Sequence, residues 1–177
     1  MNGNEHFTLD GEKINITTND FWKWAYSDLS SDTNRSILAE YIVSLSLGRT
    51  SVFKRTEFTH RPYDVITKDG FRIEIKSTAY INSKCNERPD CVLFSIARNK
   101  ELYNSSDAFV FCVYKGMSDK ETPLNIDLWD FYVISTEKLY RNKPIQKTIT
   151  LPSLIDLAPI KCNYYKIDET IKTAVNA

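Results

Sequence analysis

The chain has 177 residues, 42% of them hydrophobic and 12% aromatic, enough for one domain with a sizeable core. Its 23 lysines and arginines balance 23 acids, so a broadly cationic nucleic-acid binder is excluded and only a local basic strip remains open. No apolar run approaches the ~18 residues of a membrane span, and the opening MNGNEHFTLD lacks a basic-then-apolar leader pattern. The expected compartment is the cytoplasm, with no membrane contact.

The four cysteines, Cys85, Cys91, Cys112 and Cys162, form no CxxC pair, so zinc is not expected. Cys91 and Cys112 sit in apolar, strand-like runs where buried thiols are common. The chain shows no repeat, linker or low-complexity segment. One domain over 1–177 is expected, with N-terminal helices at 19–48, a motif hairpin at 63–78, and the remaining sheet and C-terminal helices at 91–177.

In chain order, HFTLDGEKINI reads as a short strand or hairpin. Thr18 or Asn19 reads as the cap of a helix over DFWKWAYSDL. Trp22 and Trp24 cannot both share its buried face, so one should be deeply buried or at an interface. Ser30, Ser31 and Asp32 start a second helix, TNRSILAEYIVSLSL, which Gly48 closes. From Ile37 to Leu47 it is apolar on most sides, which predicts a buried helix. Glu40 lies inside that run. A buried carboxylate needs a partner: an arginine, a gap to solvent, or a second acid group with a shared cation.

Residues 49–62 (RTSVFKRTEFTHRP) are the best local basic strip, with Lys54, Arg55, His60 and Arg61 among aromatic and apolar neighbours. They read either as an ordinary solvated face or as a phosphate-holding strip.

The most informative stretch is YDVITKDGFRIEIKSTAY, residues 63–80. Two alternating runs flank Lys68-Asp69-Gly70, and glycine suits the left-handed third position of a three-residue hairpin loop. That loop pairs Thr67 with Phe71 and Val65 with Ile73, and sets Asp64 opposite Glu74. The apolar side chains then share one face. A two-residue Asp69-Gly70 loop would mix carboxylates with apolar residues, so the three-residue loop is preferred. Facing carboxylates repel each other. Lys76, two residues beyond Glu74 on the same face, supplies part of the missing positive charge, and a divalent ion would supply it better.

Strand-like runs follow at CVLFSIA, AFVFCVYK and WDFYVIST, the second apolar throughout as in a strand buried on both faces. RNKPIQKTIT leads to a last strand, a short helix spans 151–158, and DETIKTAV forms a terminal helix. The predicted fold class is α/β, with an α+β-like arrangement: a central mixed sheet of about five strands flanked by helices. Trp22, Trp24 and Trp129 are the candidates for an exposed partner surface.

A helix-borne Glu40, then Asp64, then Glu74-Ile75-Lys76 on the neighbouring strand, resembles the PD-(D/E)xK nuclease superfamily, or restriction-endonuclease-like fold. LAEYIVSLSLG, YDVITKDG and IEIKSTAY carry the resemblance, over about 34–80. Tyr63 stands where that family's name-giving proline would, and Pro62 comes one residue early.

The resemblance implies a metal-dependent nuclease acting on DNA, of restriction, repair or phage-defence type. Its Mg2+ or Mn2+ would be held by Asp64, Glu74, the Ile75 carbonyl and Glu40, with Lys76 serving the attacking water. Lys54, Arg55, His60, Arg61 and Ser77 would contact nucleic acid, although Ser77 and Thr78 also read as ordinary strand residues. A homodimer, or a partner supplying DNA affinity, fits a neutral chain that must reach two strands. RNA is the less favoured substrate, since no aromatic RNA-binding motif is present. The competing reading is a catalytically silent member of the same fold, acting as a nucleic-acid-binding or assembly subunit.

Overall fold

The computed structural model describes residues 2–48, 63–80, 92–96, 106–118 and 120–177. The central sheet has five strands in the order β3 (Val65–Ile66), β4 (Arg72–Ala79), β6 (Ala108–Tyr114), β7 (Trp129–Ser135) and β9 (Ile160–Cys162). Only β4 and β6 run parallel, so the sheet is mixed. With helices on its faces, the chain is α/β as its sequence predicts.

Every residue of β6 is buried, as its unbroken apolar run requires of a strand covered on both sides. On one face, Ile73, Ile75, Val110, Cys112, Phe131 and Val133 meet Ala39, Ile42 and Val43 of α2 (Asp32–Ser46). Ile167 and Ile171 of α5 (Ile167–Val175) join them. On the other face, Phe109, Phe111 and Ile134 meet Leu139 of α3 (Thr136–Asn142) and Leu154 of α4 (Leu151–Ile155). Two fully buried rings, Phe94 and Phe111, pack edge-on here with centroids 4.8 Å apart.

Two strands differ from expectation. The run at 91–97 forms β5 (Leu93–Ser95), which lies outside the central sheet and pairs with β8 (Thr148–Thr150) in a separate two-stranded sheet. Val92, Phe94 and Ile96 are buried while Leu93 and Ser95 are exposed. A strand with a single apolar face suits a covering layer rather than a sheet interior. Its place in the central sheet is taken by β9, only three residues long, on the far edge.

Helix α2 begins at Asp32 behind the cap Ser31, whose hydroxyl accepts from the Asn34 N–H, and Gly48 follows its end at φ +69°. It is buried along one side only, at Arg35, Ala39, Ile42 and Val43, while Tyr41 is exposed. The all-round burial expected from its composition is therefore corrected: Ile37 and Leu38 are only half-covered at the margins of one packed stripe.

Ahead of α2, β1 (His6–Leu9) and β2 (Glu12–Thr17) form a hairpin that leads into α1 (Thr18–Ala25). The cap of α1 is Thr17, one residue before the two candidates, in a reciprocal capping box with Asp20. Trp24 is exposed and Trp22 half-buried. Trp129 is buried and donates from Nε1 to the Pro123 carbonyl at 2.9 Å, so it belongs to the core and not to a partner surface.

Candidate functional site

The β3–β4 hairpin has the expected register. Val65 pairs with Ile73 and Ile66 with Arg72, and the Thr67 N–H donates to the Phe71 carbonyl at 2.8 Å. Gly70 has φ +90°, the left-handed conformation the loop requires. Val65, Ile73 and Ile75 go into the core, so strand alternation sends Glu74 and Lys76 to the opposite face of β4. There the parallel register sets Glu74 beside Phe109 and Lys76 beside Phe111. Asp64 precedes the paired residues, in a bend, and its N–H turns toward β4 to donate to the Ile73 carbonyl at 2.9 Å, so the regular ladder ends at Val65.

Past that point β3 is unpaired, and the Asp64 side chain folds onto the edge of β4. Its Oδ2 accepts from the Ile75 N–H at 2.6 Å. The N–H and C=O of one strand residue point to the same edge, so the Ile75 carbonyl faces the same side as the Asp64 carboxylate. Lys76 Nζ donates to Glu74 Oε1, with both side chains largely covered.

Glu40 comes from the layer behind the sheet. Ser36 of α2 meets Ser77 of β4, hydroxyl to hydroxyl, at 3.2 Å, while Gly48 beyond the helix end lies against Lys68 of the hairpin loop. Helix α2 thus runs antiparallel to β4. Four residues of helix rise about 6 Å, about two strand residues, which sets Glu40 near the level of Ile75. Its negative charge acts on Asp64.

The electrostatic result is concentrated on Asp64. Burial, then the Glu74 charge, and to a lesser extent the Glu40 charge, push its carboxyl up to about 7. The Ile75 N–H and the Lys76 ammonium oppose this without cancelling it. Desolvation is thus the larger cause, and the neighbouring negative charges add to it. Among the described residues, no group of three His, Cys, Asp or Glu side chains converges closely enough to hold a metal ion. The Glu74 and Glu40 charges both act on Asp64, and no closed cage forms among the described residues. The oxygen donors of Asp64, Glu74 and Ile75, two carboxylates and a backbone carbonyl on one strand edge, are the hard set that magnesium or manganese takes together with water.

Two residues at this end of the sheet were not singled out from sequence. Asp107 accepts from the Arg72 backbone N–H, Nε and Nη2, at 2.8, 3.1 and 2.7 Å. The Asp107 N–H in turn donates to the Arg72 carbonyl at 2.7 Å. This clamp ties the start of β4 to the start of β6. Arg72 holds the Asp107 carboxyl below the usual carboxylate range. Its sequence signal was the position of Arg72 two residues before Glu74 on the same face; the distant partner carried none.

Ser77 is on the α2 side of β4, on the opposite face from Glu74 and Lys76, and its hydroxyl is shared with Ser36. Lys54, Arg55, His60 and Arg61 lie outside the described residues, as do Pro62, Cys85 and Cys91. Cys112 and Cys162 are free thiols, Cys112 fully buried.

No helix among the described residues is long and apolar enough to cross a membrane. A scan against protein-family models finds no match for this chain, and a search of curated proteins finds none either.

Proposed function

We propose that the chain is a metal-dependent phosphodiester hydrolase of the PD-(D/E)xK kind, with DNA as its substrate. The observation that carries the reading is the hairpin register. With the Asp64 N–H bonded to Ile73, it seats the Asp64 carboxyl on the Ile75 N–H within reach of the Glu74 charge and keeps Lys76 on the Glu74 face; burial first, then the Glu74 and Glu40 charges, push the Asp64 carboxyl up to about 7. A structural hairpin has no reason to gather two carboxylates and the charge of a third at one strand edge.

Mg2+ or Mn2+ would be held by Asp64, Glu74 and the Ile75 carbonyl, with Glu40 behind them, and when bound supplies an activated water and a polarised phosphodiester. The rest falls to the chain. Lys76 donates to Glu74 in the structure. Once the Glu74 charge is balanced, that ammonium is free to orient the attacking water and to offset charge building on the phosphate. The Ile75 N–H fixes one Asp64 oxygen, so the carboxylate presents the other in a set direction. The Arg72–Asp107 clamp holds the first turnable residues of β4 against β6, which keeps Glu74 in place.

One observation favours a second reading, a silent nuclease-fold subunit that binds nucleic acid or assembles with a partner. Glu74 is already satisfied by Lys76, and no three-group cluster closes among the described residues. Supercoiled plasmid with Mg2+ or Mn2+ separates the two. The nuclease reading expects nicking that Glu74→Ala and Lys76→Ala each reduce by about 100-fold or more. Nicking that survives unchanged in both variants, together with no heat from Mn2+ in calorimetry, overturns it. A DNA gel shift without cleavage establishes the second reading.

A further inference from the structure

We propose that the cavity at the start of β4 and β6 seats a phosphate of the nucleic-acid strand, the neighbour of the phosphate that the acid pair would cut. The cavity has a volume of about 570 Å³, room for a group of nucleotide size, and Arg72, Ser106, Asp107, Thr136, Tyr140 and Arg141 line it. It adjoins the candidate site. Arg72 precedes Glu74 by two residues on one face of β4, and two strand residues span about 6.6 Å, the order of one nucleotide step along a backbone. Tyr140 links the two places. Its ring packs edge-on against Phe109, the residue that the parallel register sets beside Glu74, with centroids 5.9 Å apart.

The groups left unspent in this cavity are donors. Arg72 gives its backbone N–H, Nε and Nη2 to Asp107, which leaves Nη1 without an acceptor among the described residues. Ser106 and Thr136 are each only 5% exposed, and their hydroxyls meet at 3.1 Å. Two hydroxyls carry two protons and their mutual bond uses one, so the other has no acceptor among the described residues. The Thr136 N–H donates to the Asp107 carbonyl at 3.0 Å, which fixes where that pair stands. A buried donor left open is costly, and a ligand oxygen in the cavity would accept its proton.

That donor excess selects the ligand. Asp107 is taken up by Arg72, and Glu137 by Arg141, which is exposed at the mouth and holds it through one nitrogen. A ligand inside meets guanidinium edges and a hydroxyl proton. Such a set suits the several acceptor oxygens of a phosphate and offers a cation no free buried carboxylate. A strand lying over Glu74 and Lys76 would carry its next phosphate to this point. The cavity stands on its own geometry; only the assignment of its phosphate to a strand rests on the nuclease reading.

The test uses the full chain in chelator: wild type, Arg141→Gln, an Arg141→Gln/Thr136→Val double variant, and a Lys166→Gln control that removes an exposed cation elsewhere. Amide NMR shifts are followed as inorganic phosphate is added, and affinity for a short DNA duplex is measured by fluorescence anisotropy at one fixed salt concentration. Wild type and control should bind phosphate saturably with Kd about 1 mM, the shifts gathering at 106–107 and 135–141. The double variant should bind both phosphate and DNA at least ~10-fold more weakly. Arg141→Gln alone, at an exposed position that folding does not need, should weaken both about 3-fold. With Mg2+ restored, the loss should appear in KM for DNA and not in kcat. A wild type without saturable phosphate shifts at these residues overturns the site. Phosphate shifts with DNA affinity unchanged in both variants overturn the strand assignment and leave a free phosphate compound as the ligand. A wild type that nicks no DNA removes the nuclease reading alone, since both binding measurements run without metal.

Discussion

Replacing Asp64 by asparagine should make the metal-free protein more stable, even though it damages the proposed site. Asparagine keeps the shape and an acceptor for the Ile75 N–H, which Asp64 Oδ2 now takes at 2.6 Å. What it removes is a carboxyl raised from 3.8 to about 7 by burial and by the Glu74 and Glu40 charges. The sign follows from linkage: with its folded value raised, the group favours folding fully below about pH 4 and loses that contribution as pH climbs to about 7. Three units at about 1.4 kcal/mol each set an upper limit of about 4 kcal/mol, and relaxation around the charge reduces it to about 2–4 kcal/mol. For a chain of this length that is roughly 2–4 °C of melting temperature per kcal/mol. Urea unfolding of both proteins in chelator, at pH 4 and pH 8, measures it. The Asp64→Asn protein should be the more stable at pH 8, with the gap closing at pH 4. Adding Mn2+ should then raise the stability of the wild type alone. An Asp64→Asn protein no more stable at pH 8, or a gap that does not change with pH, refutes the account of the charge at this site.

Ser77→Ala should leave plasmid nicking within about twofold of wild type and cost about 1 kcal/mol or less, because its hydroxyl serves Ser36 and not the acid face. A tenfold loss of nicking at unchanged stability would return Ser77 to the substrate. Phe94→Ala should cost about 3–5 kcal/mol in chemical denaturation, as a fully buried ring against Phe111 leaves a cavity under β5. A cost under about 1 kcal/mol would mean that the small β5–β8 sheet is not part of the core.

The hairpin was legible because its signals are local and agree. Gly70 fixes the loop, alternation fixes the faces, and together they give the pairing observed, Val65 with Ile73 and Ile66 with Arg72. Strand β6 was legible for a related reason, since seven consecutive apolar residues have no solvated face to offer. What could not be read is what depends on distant chain. The alternation of 92–96 gives β5 one buried face, yet nothing in it says whether that face belongs to the main sheet or to a layer above it. Strand β9 is three residues of mixed character, below the length at which a pattern exists. Periodicity located Glu40 on its helix but could not say that α2 would cover the face of β4 opposite Glu74, so the third acid acts from behind. Arg72 and Asp107 meet only because β4 and β6 run parallel, a pairing without a sequence signature.

The tip of the β3–β4 hairpin is pinned on two sides. Lys68 lies so close to Gly48 that an added Cβ there would come within 3.0 Å of its ammonium, and Lys172 of α5 pairs with Asp69 at 2.8 Å. With only two residues in its ladder, β3 cannot choose its own alignment; the tip chooses it. One residue inserted between Lys68 and Gly70 would turn every side chain of β3 over, driving Asp64 into the oil and Val65 out to water. Length at this tip is thus as much a part of the acid pair as the acids themselves, and a chain that drifts there loses the pair without losing either residue.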